Sequence, residues 1–175
     1  LDNIPDNELP DVTIVTPTYN RRNMFSLAIK NFMDFNYPKD KMNWIIIDDS
    51  DDGGVEDLID KSDKRIEYVD LRELKKRVTI GQKRNIGADM AKTDYILHMD
   101  DDDYYPAESI LARVKLLIKY KDTIGCVGSS EVGTYNIIND TSSMASDGPM
   151  ALSEASMGYT KKFWEEQGFD RYIEK

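Results

Sequence analysis

Two short apolar runs, residues 44–47 and 95–99, each stop abruptly at a cluster of carboxylates. Asp48, Asp49, Asp51 and Asp52 follow the first, and Asp100, Asp101, Asp102 and Asp103 follow the second. Short runs of this kind suit strands buried on both faces, as in a parallel sheet covered by helices. Side chains that follow such strands belong to loops at one edge of the sheet. In an open α/β sheet that edge is where ligands bind.

The rest of the chain supports this reading. Residues 12–16 are mostly β-branched and predict a first strand, ended by Pro17. Asn23 is placed to cap a helix in which Phe25, Ala28, Ile29 and Phe32 form a buried stripe. Residues 55–61 predict a short helix and 65–71 a third strand. Residues 80–91 predict a helix with Gly81 and Gly87 as weak points. Pro106 opens a helix whose apolar face is Ile110, Leu111, Val114, Leu117 and Ile118. Residues 124–127 predict a fifth strand. Strand and helix alternate four times, which implies right-handed crossovers and a mostly parallel sheet with helices on both sides. After residue 129 the pattern breaks. Residues 131–139 predict an antiparallel piece, 141–148 a polar flexible loop, and 161–167 a short helix carrying Phe163 and Trp164.

Composition narrows the chemistry. The net charge of −10 opposes a broad nucleic-acid surface, which would have to overcome repulsion from phosphate. A single cysteine, Cys126, excludes an internal disulfide and a zinc-cysteine cluster. A single histidine, His98, excludes a multi-histidine metal site and reads as a core residue. No run approaches the roughly 20 apolar residues of a membrane span, and residues 1–11 show no signal-peptide pattern. Carboxylates, lysines, arginines and hydroxyls are left to act.

Adjacent carboxylates repel one another unless a cation or hydrogen-bond donors offset the charge. Oxygen-rich sites suit magnesium, manganese or calcium, and magnesium-type ions commonly complete their coordination with substrate phosphates. Gly81-Gln82-Lys83-Arg84-Asn85-Ile86-Gly87 adds two cations, Lys83 and Arg84, with the reach to meet a phosphate, but lacks the Lys-Ser/Thr ending of a P-loop. Thr16-Pro17-Thr18-Tyr19-Asn20-Arg21 adds a stacking ring at Tyr19 and positive charge at Arg21. All four features fall at one predicted sheet edge or on the helix leading to it, so the two acidic clusters are expected to face one diphosphate through one cation.

As a set, in this order and spacing, these strings resemble the family 2 glycosyltransferases of the GT-A fold. The strings are 12–21, the second strand with its acidic turn at 45–53, and the Arg84-Asn85-x-Gly87 helix followed by a DxD-like motif within Asp100–Asp103. The resemblance implies an α/β GT-A (Rossmann-like) domain over 1–175, with a nucleotide-sugar part at 1–130 and an acceptor-side part at 131–175. It implies transfer of a sugar from a nucleotide-sugar, UDP-linked, to the hydroxyl of a glycan, protein or small-molecule acceptor, with Mn2+ or Mg2+ and inversion. Pro17, Thr18 and Tyr19 would line the base. Asp49 or Asp48 would hydrogen-bond it. Arg21, Lys83, Arg84, Asp100 and Asp101 would surround the nucleotide and its phosphates. Asp102, with Asp100, would hold the metal, although four consecutive aspartates admit more than one register. The family's usual base follows a segment like Gly168-Phe169-Asp170, so it is expected beyond Lys175, in a longer protein. Within the chain Glu154 and Asp147 are weak substitutes. A cytoplasmic location is the expectation. The rival readings are a nucleotidyltransferase-like enzyme and a non-catalytic nucleotide-sugar-binding module.

Overall fold

The computed structural model describes residues 4–74, 76–146, 148 and 151–169. Its main sheet has six strands in the order β3 (Ile66–Asp70), β2 (Met42–Asp48), β1 (Val12–Thr18), β4 (Tyr95–His98), β8 (Gly158–Thr160) and β5 (Cys126–Val127). The central strand β1 (Val12–Thr18) is buried along its whole length. It pairs in parallel with β2 (Met42–Asp48) and with β4 (Tyr95–His98), and β2 pairs in parallel with β3 (Ile66–Asp70). Strand order reverses across β1: β2 and β3 extend to one side and β4 to the other. The crevice beyond Thr18 is therefore a topological switch point, the place where open α/β sheets bind ligands.

Helices cover both faces. On one face α1 (Ser26–Asp34) and α3 (Ser109–Lys119) pack over Val12, Ile14, Trp44 and Ile46. Trp44 stacks on Phe25 and Phe32 at centroid distances of 5.9 and 4.8 Å, and its indole N–H donates to Thr16 Oγ1 at 2.8 Å. Truncation of a ring so placed costs ~3–5 kcal/mol. On the other face Ala88 of α2 (Ile80–Met90), its C-cap residue Ala91, Val15, Ile96 and Tyr159 form a second core, against which Phe163 and Trp164 of α4 (Lys161–Gln167) pack. Gly87 lets α2 lie directly on β1: a Cβ there would sit 2.4 Å from Val15 Cγ1. The glycine expected to weaken the helix is thus its point of closest approach to the sheet. The helix begins with a capping box, in which Thr79 Oγ1 accepts from Gln82 N at 3.2 Å and Gln82 Oε1 accepts from Thr79 N at 3.1 Å.

Several local expectations differ from the structure. β1 runs through Pro17 to Thr18, because the parallel register with β2 continues past the proline to Thr18↔Asp48. α1 starts at Ser26, three residues after Asn23, and its N-cap residue Phe25 makes no side-chain cap bond. Residues 55–61 hold only a 3-10 turn at Glu56–Leu58. The expected fifth strand shrinks to β5 (Cys126–Val127), because it pairs only with the three-residue β8 (Gly158–Thr160), which sits antiparallel between β4 and β5. The expected flexible loop at 141–148 is largely β7 (Thr141–Ser146), paired with β6 (Glu131–Asn136) in a separate two-stranded ribbon whose side chains are all exposed. An exposed Ser/Thr-rich strand carries no apolar alternation, so its sequence looks like loop.

Candidate active site

The loop after β1 and the loop after β2 are tied together. Asn20, at φ 53°, accepts Asp51 N–H at 3.0 Å and donates to Asp51 Oδ1, while its own N–H reaches Ser50 Oγ at 2.8 Å. Asp48 is fully buried and its carboxylate is saturated by protein donors: Ser50 N at 2.8 Å, Val55 N at 3.0 Å and the Tyr68 hydroxyl at 2.7 Å. It builds the turn and presents little to a ligand. Asp49 is buried beside it. Its Oδ1 is ion-paired with Lys83, and its Oδ2 accepts Val78 N–H at 2.6 Å.

Helix α2 supplies the cations, and both turn inward. Lys83 is 2% exposed; besides Asp49 it donates to the carbonyl of Thr18 at 2.6 Å. Burial lowers its pKa, and the Asp49 carboxylate works against that. Arg84, 3% exposed, donates to Asp100 Oδ1 at 3.1 Å and is ion-paired with Glu154 Oε2. The two cations expected at phosphate are therefore already engaged with carboxylates.

Asp100, Asp101 and Asp102 line one wall of a cavity of about 220 Å³. Pro17, Thr18, Tyr19, Arg21 and Lys83 line it too, as do residues 77–80. Burial raises the pKa of Asp100, and that of Asp101 is pushed up to about 6, by burial first and then by the charges of Asp102 and Asp100. Asp102 is more open and pairs with Arg21 at 3.1 Å. Tyr105 fixes Asp100 from behind, its hydroxyl accepting Asp100 N–H at 2.9 Å and donating to Ala155 O at 2.8 Å.

Asp49 opens onto a neighbouring cavity of about 710 Å³ that shares Tyr19 and Arg77 with the first. The two acidic clusters thus share one sheet edge but not one cavity; Lys83 lies between them, lining the first cavity while paired to Asp49. Arg77 stands 4.6 Å over the Tyr19 ring. Arg77, Val78 and Tyr105 were not legible as site residues. The Thr79-x-x-Gln82 spacing marks the start of α2 and so puts 77–78 in the loop before it. Nothing local marks Tyr105.

Among the described residues, no group of three His, Cys, Asp or Glu side chains is arranged to hold a metal ion. Asp101 Oδ2 and Thr18 Oγ1 nevertheless lie buried in the cavity wall with no partner other than each other. A buried carboxylate oxygen held only by a hydroxyl, beside Asp100 and Asp102, fits a hard divalent cation that takes one or two protein oxygens and completes its shell with phosphate.

Glu154 lies near this wall through Arg84, and its backbone carbonyl meets His98 Nδ1 at 2.8 Å. His98 is fully buried, with Nε2 3.1 Å from the Tyr159 hydroxyl, and burial pushes its pKa well down. It is a satisfied core residue. Asp147 and Asp170 lie outside the described residues. No described helix is long and apolar enough to cross a membrane.

Residues 13–170 match the family described as Glycosyl transferase family 2. A putative teichuronic acid biosynthesis glycosyltransferase, TuaG of Bacillus subtilis, is 23% identical over 71% of this chain and 48% of its own length. A poly(ribitol-phosphate) beta-glucosyltransferase of Bacillus spizizenii is 30% identical over 57% of this chain and 16% of its own. Among solved structures, the mannosyltransferase PcManGT of Pyrobaculum calidifontis, in complex with GDP-Man and Mn2+, superimposes with a TM-score of 0.70 at 17% identity, covering 96% of this chain and 50% of that one. TarS of S. aureus does so with a TM-score of 0.68 at 17% identity, over 94% and 52%. The chain spans half or less of the length of these two curated relatives.

Proposed function

The chain belongs to glycosyl transferase family 2, and on that premise we propose that it moves a sugar from a nucleotide-sugar, UDP-linked, to an acceptor hydroxyl with the help of Mn2+ or Mg2+ and with inversion. The observation that carries the proposal is the cavity at the switch point, where Asp101 Oδ2 is buried with only the Thr18 hydroxyl for a partner, beside Asp100 and Asp102. PcManGT, which shares the fold, is described with GDP-Man and Mn2+.

In this reading Pro17, Thr18 and Tyr19 wall the nucleotide. Asp49 Oδ2 already accepts one amide-type N–H, from Val78, and a uracil ring presents the same kind of donor. Asp48 acts at one remove, by holding the turn that carries Asp49. Lys83 and Arg84 hold Asp49 and Asp100 in place. Asp102, with Asp100, would hold the cation, which when bound neutralises charge on the departing diphosphate. Arg21, paired with Asp102, adds positive charge at the mouth. The acceptor must lose a proton, and Glu154, its side chain 46% exposed and ion-paired with Arg84 beside this wall, is one carboxylate that could take it.

The test is the melting temperature with UDP, GDP and UDP-sugars, each with and without Mn2+. Specific binding raises it by mass action. UDP with Mn2+ is expected to give the largest rise, and release of UDP from a UDP-sugar would then separate a transferase from a nucleotidyltransferase, which would release pyrophosphate. If no nucleoside diphosphate binds in a metal-dependent way, the proposal fails.

A further inference from the structure

A third, larger cavity of about 940 Å³ lies on the far side of Asp102, which lines it as well as the first. Its floor is α3, through Ser109, Arg113 and Leu116, and the β6–β7 ribbon stands over it. A lone two-stranded ribbon is at best marginal in water, so it gains by contact with whatever occupies the groove. Two lining rings are open: Tyr104 is 71% exposed and Tyr135 is 61% exposed. A tyrosine combines a flat apolar face with a polar tip, the combination that suits the faces and hydroxyls of sugar rings; the Tyr135 hydroxyl donates to Asp140 Oδ1, so that ring offers mainly its face.

The charge of the groove is one-sided. Its charged lining residues are Asp102, Asp103, Glu131 and Arg113. Arg113 is only 7% exposed and already spent: it donates to His98 O at 2.8 Å, Met157 O at 3.0 Å, Ser109 O at 3.2 Å and Ser109 Oγ at 3.1 Å. Arg21 offsets Asp102 alone. With Asp102 offset by Arg21 and, in the transferase reading, by the cation, a phosphodiester or uronate chain entering here would still meet Asp103 and Glu131, which no available cation among the described lining residues offsets.

From this we infer that the groove binds an uncharged glycan chain and discriminates against polyanionic ones. Calling that glycan the acceptor rests on the transferase reading above; its binding in the groove does not. The glycan would lie with its rings against Tyr104 and Tyr135 and with one end at Asp102, the residue shared with the proposed donor cavity.

The experiment is saturation-transfer NMR on the 175-residue chain, with linear neutral gluco- and manno-oligosaccharides against an oligo(glycerol phosphate) of matched length, at low and at physiological salt. A neutral oligosaccharide should bind roughly tenfold or more tightly than the phosphate oligomer at low salt, with the gap narrowing as salt screens the carboxylates. Tyr104→Ala and Tyr135→Ala, on different elements, should each weaken oligosaccharide binding by roughly three- to tenfold. Glu131→Lys should improve binding of the phosphate oligomer. Equal or tighter binding of the phosphate oligomer overturns the inference. So does failure of every neutral oligosaccharide to bind, or indifference to both tyrosine substitutions. The UDP and Mn2+ melting shift reads the other proposal: glycan binding without that shift removes the transferase reading and leaves the groove, whereas the shift without glycan binding does the reverse.

Discussion

Lys83 on α2 holds Asp49 at the end of β2 while donating to the Thr18 carbonyl at the end of β1, so one ammonium ties a helix and two strands at the rim of the site. The two side chains are 2% and 1% exposed. Breaking such a pair from one side leaves a buried charge unpaired, which costs ~3–5 kcal/mol, whereas removing both charges costs far less. Lys83→Met should therefore destabilise strongly, and adding Asp49→Asn should recover much of the loss. Urea unfolding of the four proteins of that cycle measures it; additive losses would mean that the pair is not coupled.

Asp102 is more exposed than its neighbours, and its partner Arg21 is 48% exposed. A pair so open is worth at most ~1 kcal/mol to the fold, so Asp102→Ala should leave the apo melting temperature nearly unchanged. It should remove the Mn2+-dependent part of the UDP shift. Retention of the full shift would put the cation elsewhere.

Asp101 gives the site a pH signature when metal is chelated. Its carboxyl is pushed up to about 6 from an ordinary 3.8, so between those values the folded chain holds the proton more tightly than the unfolded chain does. Stability from this group is therefore highest below pH 4 and falls as pH rises through about 6, by up to ~3 kcal/mol. Asp101→Asn should be free of that loss. The stability of the variant relative to the parent should climb across this window and level off above it; a flat difference in EDTA would show that Asp101 titrates normally.

Gly87 sets how closely α2 approaches β1. A methyl there would meet Val15 Cγ1 at 2.4 Å and Cγ2 at 2.9 Å. Overpacking of this kind costs ~1–3 kcal/mol, which outweighs the ~1 kcal/mol that alanine gains over glycine in a helix. Gly87→Ala should lower the melting temperature. Because the helix carrying Lys83 and Arg84 must shift, it should also shrink the UDP shift. A more stable variant would mean that the helix adjusts without cost.

Local sequence determined the parts of this protein whose signal is local. The runs at 12–16, 44–47 and 95–99 read as buried strands, because every side chain along them except His98 is apolar or β-branched, and the carboxylates that follow are thereby placed at a common sheet edge. What the sequence left open was decided by contacts between distant segments. Gly158–Thr160 is too short to carry a period, and it becomes a strand only because β4 and β5 leave a slot for it. Thr141–Ser146 becomes one only by pairing with Glu131–Asn136. Lys83 and Arg84 look like surface cations from their types alone, yet the approach of α2 to β1 through Gly87 buries them and directs them onto Asp49 and Asp100. Periodicity records which face of an element is apolar, whereas the partner of a buried charge is set by where the chain returns, and that belongs to the tertiary structure alone.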